Sequence, residues 1–204
     1  MAQGLQAIVL VAIVTTASPS LAQGRPKTDP DWPCVQIKVP TLSLNSVWLG
    51  PEVDVTSDAW RSDPGVADLV SKMATRRVPI IEAEAAIADF ASKSGPDAKT
   101  KLLQALGGAF QELAHQRSQI LDGLKRFGKK QNEMADSIRA ENEALQSASA
   151  DKPDAQNQQG AQERLQWDLR VFEDRHRTIS YVCETPTLIE QRIGALAKAV
   201  QKAL

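Results

Sequence analysis

Between residues 103 and 145 apolar side chains recur in alternating steps of three and four. Leu103, Leu106, Phe110 and Leu113 lead past Arg117 to Ile120, Leu124 and Phe127, past Gln131 to Met134 and Ile138, and past Glu141 to Leu145. A seam of this period, held for six heptads, specifies a single long helix whose one apolar stripe must be covered by another helix, as in a coiled coil. At 1.5 Å per residue, a helix from about residue 97 to 148 is ~75 Å long. Four glycines interrupt the pattern without breaking its phase: Gly107, Gly108, Gly123 and Gly128. Each costs a helix up to about 1 kcal/mol relative to alanine, so they weigh against unbroken continuity.

The covering helix lies further along the same chain. Residues 147–160 (SASADKPDAQNQQG) are polar, contain proline and lack periodicity, which marks a hairpin loop. The seam then resumes through Leu165, Leu169, Phe172, His176, Ile179 and Cys183. Thr185 and Pro186 have the form of an N-cap and first helical position, so a fresh helix is expected there, with Ile189, Ile193, Leu196 and Val200 as its stripe. A short connection forces the two long helices to run antiparallel. Setting Leu145 opposite Leu165 brings Cys183 near Phe127 and the C-terminus near Leu106.

Upstream, residues 24–62 hold Pro26, Pro30, Pro33, Pro40 and Pro51, together with Trp32, Trp48 and Trp60. Val35, Ile37 and Val39 alternate as in a strand, but no partner strand is evident, so an extended segment packed across helices is expected. Tryptophans so concentrated in an aromatic-poor chain call for burial there. Asp63-Pro64 then starts a helix with the stripe Val66, Leu69, Val70, Met73. Pro79 closes it and opens another with the stripe Ile80, Ala83, Ile87, Phe90, and Gly95-Pro96 ends that one. The expected fold is all-α: an antiparallel coiled-coil hairpin, a small helical body and an extended Trp/Pro-rich N-terminal segment. In residue terms, 23–62 form the segment, 63–127 plus 183–204 the body, and 128–182 a hairpin projecting from it. A plain bundle, with the short helices laid along the hairpin, is the other arrangement the pattern admits.

The first residues point to a compartment. Ala7 to Ala17 is an uncharged apolar run, shorter than the roughly 20 residues that span a bilayer. With Ser20 and Ala22 behind it, the run reads as a signal peptide over residues 1–22, cleaved near Ala22. The only positive charge before the run is the amino terminus, which leaves an uncleaved anchor as the other possibility. No later stretch is apolar for long enough to cross a membrane. Cys34 and Cys183 are the two cysteines in the chain, and in an oxidising compartment such a pair usually bridges. Free buried thiols and a redox-active pair are the alternatives, the latter without a CxxC spacing.

Chemistry is poorly represented. The 24 basic and 25 acidic residues nearly cancel, which disfavours a general nucleic-acid binder. His115 and His176 are too few and too separated for a metal site, and His176 reads as a polar seam residue that fixes register. Glu82, Glu84, Asp89, Glu133, Asp136, Glu141 and Glu143 stand beside lysines and arginines as solvated charges. The basic residues Arg76, Arg77, Lys125, Arg126, Lys129 and Lys130 read the same way. There is no GxSxG, nucleotide-binding loop, HExxH or CxxCH motif, so no catalytic residue, cofactor or metal is expected. Trp167 and Phe172, far along the hairpin, are the candidate interface residues.

Several short stretches carry a resemblance: Trp32-Pro33-Cys34-Val35-Gln36, Lys38-Val39-Pro40, Trp48, Arg77-Val78-Pro79 and Tyr181-Val182-Cys183-Glu184-Thr185-Pro186. Together they resemble a group of exported alphaproteobacterial proteins with no activity attached to it, over most of the chain after the leader. The resemblance implies an exported protein and nothing about chemistry. In shape alone the hairpin is similar to periplasmic holdase chaperones with helical tentacles, which are markedly basic where this chain is near neutral. The expectation is a non-enzymatic periplasmic scaffold, adaptor or assembly factor. It would meet a protein partner of the envelope, or itself, through the hairpin. The alternatives are a helical binder of a small molecule or lipid and a minor-pilin-like secretion subunit.

Overall fold

The computed structural model describes residues 29–150 and 155–204; the leader over residues 1–22 and its cleavage point lie outside them. Four α-helices account for most of the described chain: α1 (Pro64–Ala74), α2 (Ile80–Lys93), α3 (Ala98–Ala150) and α4 (Ala155–Ala203). Short 3-10 turns at Leu44–Ser46, Ala59–Arg61 and Gly95–Asp97 punctuate the rest, and no strand occurs among the described residues.

The helix starts follow local chemistry. Asp63 caps α1 by accepting hydrogen bonds from the Gly65 and Val66 amides, with Pro64 at the first position. Its carboxyl sits below the ordinary range, first through the Lys101 hydrogen bond and then through those amides. Pro79 precedes α2, and Gly95 adopts a left-handed φ of 56° that turns the chain toward α3. Val66, Leu69, Val70 and Met73 of α1 are buried, as are Ala83 and Ile87 of α2. They form one core with Leu102, Leu106 and Leu113 of α3, Ile189, Ile193 and Leu196 of α4, and Trp48 and Trp60 of the N-terminal segment.

α3 and α4 pair antiparallel. Arg117 Nε meets Glu190 Oε1 at 2.7 Å, the Gln131 side chain donates to the Phe172 carbonyl, and Leu145 shares a groove with Gly160, Ala161 and Arg164. The last of these places Leu145 about a turn N-terminal of the Leu165 pairing expected from the sequence. Arg192 bridges to the end of α1, donating to the carbonyls of Met73 (2.7 Å), Val78 (2.8 Å) and Lys72 (3.3 Å). The Lys72 and Met73 carbonyls have no further helical turn to bond them and Val78 lies in the loop before α2, and burial lowers the guanidinium from its ordinary value.

Four expectations are corrected. The helix does not restart at Pro186: α4 runs through it, and the side chain is buried against the body. Pro186 removes one backbone donor and crowds the carbonyl four residues back, and the packing of Cys183, Ile189 and Ile193 on the same face holds the chain helical across that site. The polar loop is shorter than 147–160, because α3 reaches Ala150 and α4 begins at Ala155. Alanine and glutamine favour helix there despite their polarity. Leu169 and His176 are exposed rather than sealed in the seam, which passes closer to Asp168 and Phe172. The straight helix drifts about 20° per heptad from a strict seven-residue repeat. Finally, Val35, Ile37 and Val39 do not pack across helices but face solvent.

The glycines of α3 mark where the N-terminal segment crosses it. At Gly108 a Cβ would come within 2.7 Å of the Trp60 ring, and at Gly128 it would collide with the Asp31 carbonyl. A side chain at either position would push the segment off the helix, so glycine here serves close approach at the expense of helix propensity.

Candidate interaction surface

Where the segment reaches the helix pair, Cys34 and Cys183 form a disulfide with an S–S distance of 2.03 Å and Cα atoms 5.6 Å apart, across 149 residues of sequence. Around it lies a second, small core of Leu121, Leu124, Ile179 and Cys183, flanked by Trp32 and Phe127. Asp29 ties the segment down electrostatically, 3.1 Å from Lys38 and 3.5 Å from Lys125. Its carboxyl lies below the ordinary range, chiefly because of the Lys38 hydrogen bond. Asn132 adds a hydrogen bond to the Pro30 carbonyl at 2.9 Å. The segment is therefore held by one covalent bond and several polar contacts, although its aliphatic residues stay outside.

A cleft of about 200 Å³ opens between this strap and the helix pair, with Trp32, Phe127, Phe172 and Gln131 in its wall. The Gln131 amide nitrogen donates to the Phe172 carbonyl at 3.3 Å, while Gln131 Oε1 is shielded and accepts nothing from the protein. Nearly three turns further out, Glu141 Oε2 is also shielded without a donor. Shielded polar atoms of this kind oppose tight pairing of the two helices, since desolvating one without a partner costs on the order of 1–3 kcal/mol.

Beyond the clamp the two helices have little else to hold them. Among the described residues of α4 before Ile179 none is buried, and beyond Phe127 in α3 only Gly128 and Gln131 are. The two candidate interface residues part company here. Phe172 is half-buried and turned toward α3, in the cleft wall. Trp167, five residues earlier and so about 140° around the helix, is 62% exposed. Leu169, on a different face of the helix, is also exposed.

Among the described residues no group of three His, Cys, Asp or Glu side chains converges as metal ligands, and no helix is long and apolar enough to cross a membrane. His115 is exposed on α3 beside Gln119, and His176 is exposed on α4. What sequence reasoning missed is Gln131, whose side chain bonds across the seam, and the outward-facing aliphatic side of the strap. The glycines of α3 were the available signal for the strap's path. No family model matches the chain, and neither does any curated protein or solved structure.

Proposed function

We propose that this chain is an exported, non-enzymatic interaction protein of a bacterial cell envelope, a scaffold, adaptor or assembly factor. It acts through the distal part of an antiparallel coiled-coil hairpin, residues 128–182, that projects from the body. The observation that carries this reading is Trp167. A tryptophan left 62% exposed on the outer face of α4 is the kind of side chain that dominates binding energy when a partner covers it. Three further features support it. The body core is filled by its own side chains, the disulfide suits an oxidising compartment, and the near-neutral charge suits a protein partner better than nucleic acid.

A ligand-binding reading would draw on the cleft beside Trp32, but at about 200 Å³ that is below the roughly 300 Å³ at which small-molecule pockets begin, or on a groove of about 510 Å³ beside Val47, whose walls are mostly charged and polar (Glu84, Glu190, Gln191, Lys198, Lys202) rather than apolar. The interaction reading is therefore preferred. Its test is photocrosslinking in intact cells with reactive residues at Gln166 and Ser137 on the hairpin and a control at Lys72 on α1. A discrete envelope partner captured from the hairpin alone, and lost with Trp167→Ala, is the expected result. Equal capture from Lys72, or none from the hairpin, contradicts it.

A further inference from the structure

Between residues 29 and 43 no side chain of the strap is buried, and Leu44 is the first that is. Several of the strap's polar contacts close on itself. The Trp32 amide donates to the Asp29 carbonyl at 3.0 Å, the Trp32 indole to the Gln36 carbonyl at 2.7 Å, and the Lys38 ammonium to the Asp29 carboxylate at 3.1 Å. None of these has to break for the strap to lift as a unit. Toward the helices it has Lys125 at 3.5 Å from Asp29, the Asn132 amide donating to the Pro30 carbonyl at 2.9 Å, and half-buried Trp32 and Cys34 against the small core. The main core of the body takes in no residue before Leu42, so it stands without the strap.

What the strap covers is the small core. Leu121, Leu124 and Ile179 are at most 6% exposed, and Trp32 and Cys34 are among the side chains packed over them. A bond that fastens a segment with no buried residue over an apolar cluster differs from one that ties two cores together. Cutting it frees the segment locally and leaves the helices folded. We infer that the Cys34–Cys183 disulfide is a redox latch, opened by a dithiol, that holds the strap over a latent apolar surface at the base of the hairpin.

Cys183 is 7% exposed and Cys34 only half-buried, so access directs the dithiol's thiolate to Cys34 Sγ. The Cys34–Cys183 bond breaks as the mixed disulfide forms, and Cys183 leaves as a thiolate and takes up a proton. The second thiol of the reductant then displaces Cys34. The reductant ends as a disulfide, oxidised by two electrons, and the chain ends with two thiols. The strap is then held by its noncovalent contacts alone, and it swings out about residues 42–44, where the chain enters the body core. Leu121, Leu124, Ile179 and Phe127 lose their cover. The latch does not depend on Trp167 meeting a partner, and either can fail without the other.

The test is stepwise reduction of the purified, oxidised chain with dithiothreitol, followed by alkylation of the two cysteines, in a Trp167→Phe background that removes the exposed indole. The reduced chain should keep its helical circular dichroism and a cooperative melt, at a lower temperature. Acrylamide quenching of Trp32 should rise severalfold while buried Trp48 and Trp60 stay protected, and ANS should bind the uncovered core. Gly128→Ala should be reduced faster than the parent, since its Cβ collides with the Asp31 carbonyl and presses the strap off α3. Leu113→Ala, which weakens the body and leaves the strap alone, should be reduced at the parent's rate. A disulfide that yields only when the helices unfold overturns the inference. So does a reduced chain in which Trp32 is quenched no more than before, or Leu113→Ala speeding reduction as much as Gly128→Ala.

Discussion

The same two helices are built differently at their two ends. Toward the body, α3 is packed on several sides: Leu102, Ala105, Leu106, Ala109 and Leu113 are buried by α1, α4 and the Trp60 turn. Past the disulfide, α3 and α4 have mainly each other, and the seam admits Gln131 and Glu141 with unbonded oxygens. The heptad pattern is continuous through both regions, yet only one has a core. A seam decides which face is covered, while the number of neighbouring elements decides how much that face contributes to stability. The disulfide lies on the border between the two regimes.

The sharpest way to break this comparison is to make the same kind of cut at both ends. Leu113→Ala opens a cavity in a fully buried site and should cost about 3–5 kcal/mol, against under about 1 kcal/mol for Ile138→Ala in the half-buried seam, as urea unfolding reads out. Replacing both cysteines by alanine, Cys34→Ala with Cys183→Ala, should cost about 2–4 kcal/mol, because a closed loop of this size restricts the unfolded chain strongly. That double variant should also expose Trp32 to fluorescence quenchers. Near the border, Arg117 is only 3% exposed and rests on Glu190. Glu190→Ala strands that buried cation and should lower stability by about 2 kcal/mol, reduced from the fully buried case because Glu190 is half in solvent. Arg117→Met should be much milder, since it removes the charge along with the need for a partner.

The smallest effect concerns the cap of α1. The Asp63 carboxyl is depressed from its ordinary value of 3.8 by Lys101 and the α1 amides. A group depressed in the folded state lends stability that is present above its unfolded value and fades as pH falls through the lowered folded one. Asp63→Ala should therefore lower the melting temperature by a few degrees at pH 7, and the difference from the parent should shrink to nothing near pH 2.

Much of this architecture was legible in the sequence. The helical stripes, Asp63 and Pro79 as helix starts, the stop at Gly95 and the Cys34–Cys183 bond all follow from local chemistry or from simple pairing of two cysteines. What escaped was tertiary in origin. Pro186 resembles a helix start in isolation, and only packing on both sides of it keeps α4 whole. The alternation of Val35, Ile37 and Val39 gives a period but not a direction, and the aliphatic residues turned outward where Asp29 holds Lys38 in. For the candidate surface, the seam pattern distinguished neither half-buried Phe172 from exposed Trp167 nor bonded Gln131 from its apolar neighbours. That distinction depends on the exact rotation of α4 against α3.

Native-state hydrogen exchange on the intact, oxidised chain tests the division between the two ends most directly. Amides in residues 102–124 of α3 and 187–200 of α4 should exchange only through global unfolding, while those in 135–148 and 156–170 open locally at a far lower free energy. Uniform protection along both helices would contradict the account, because it would mean that the distal hairpin is as firmly held as the body.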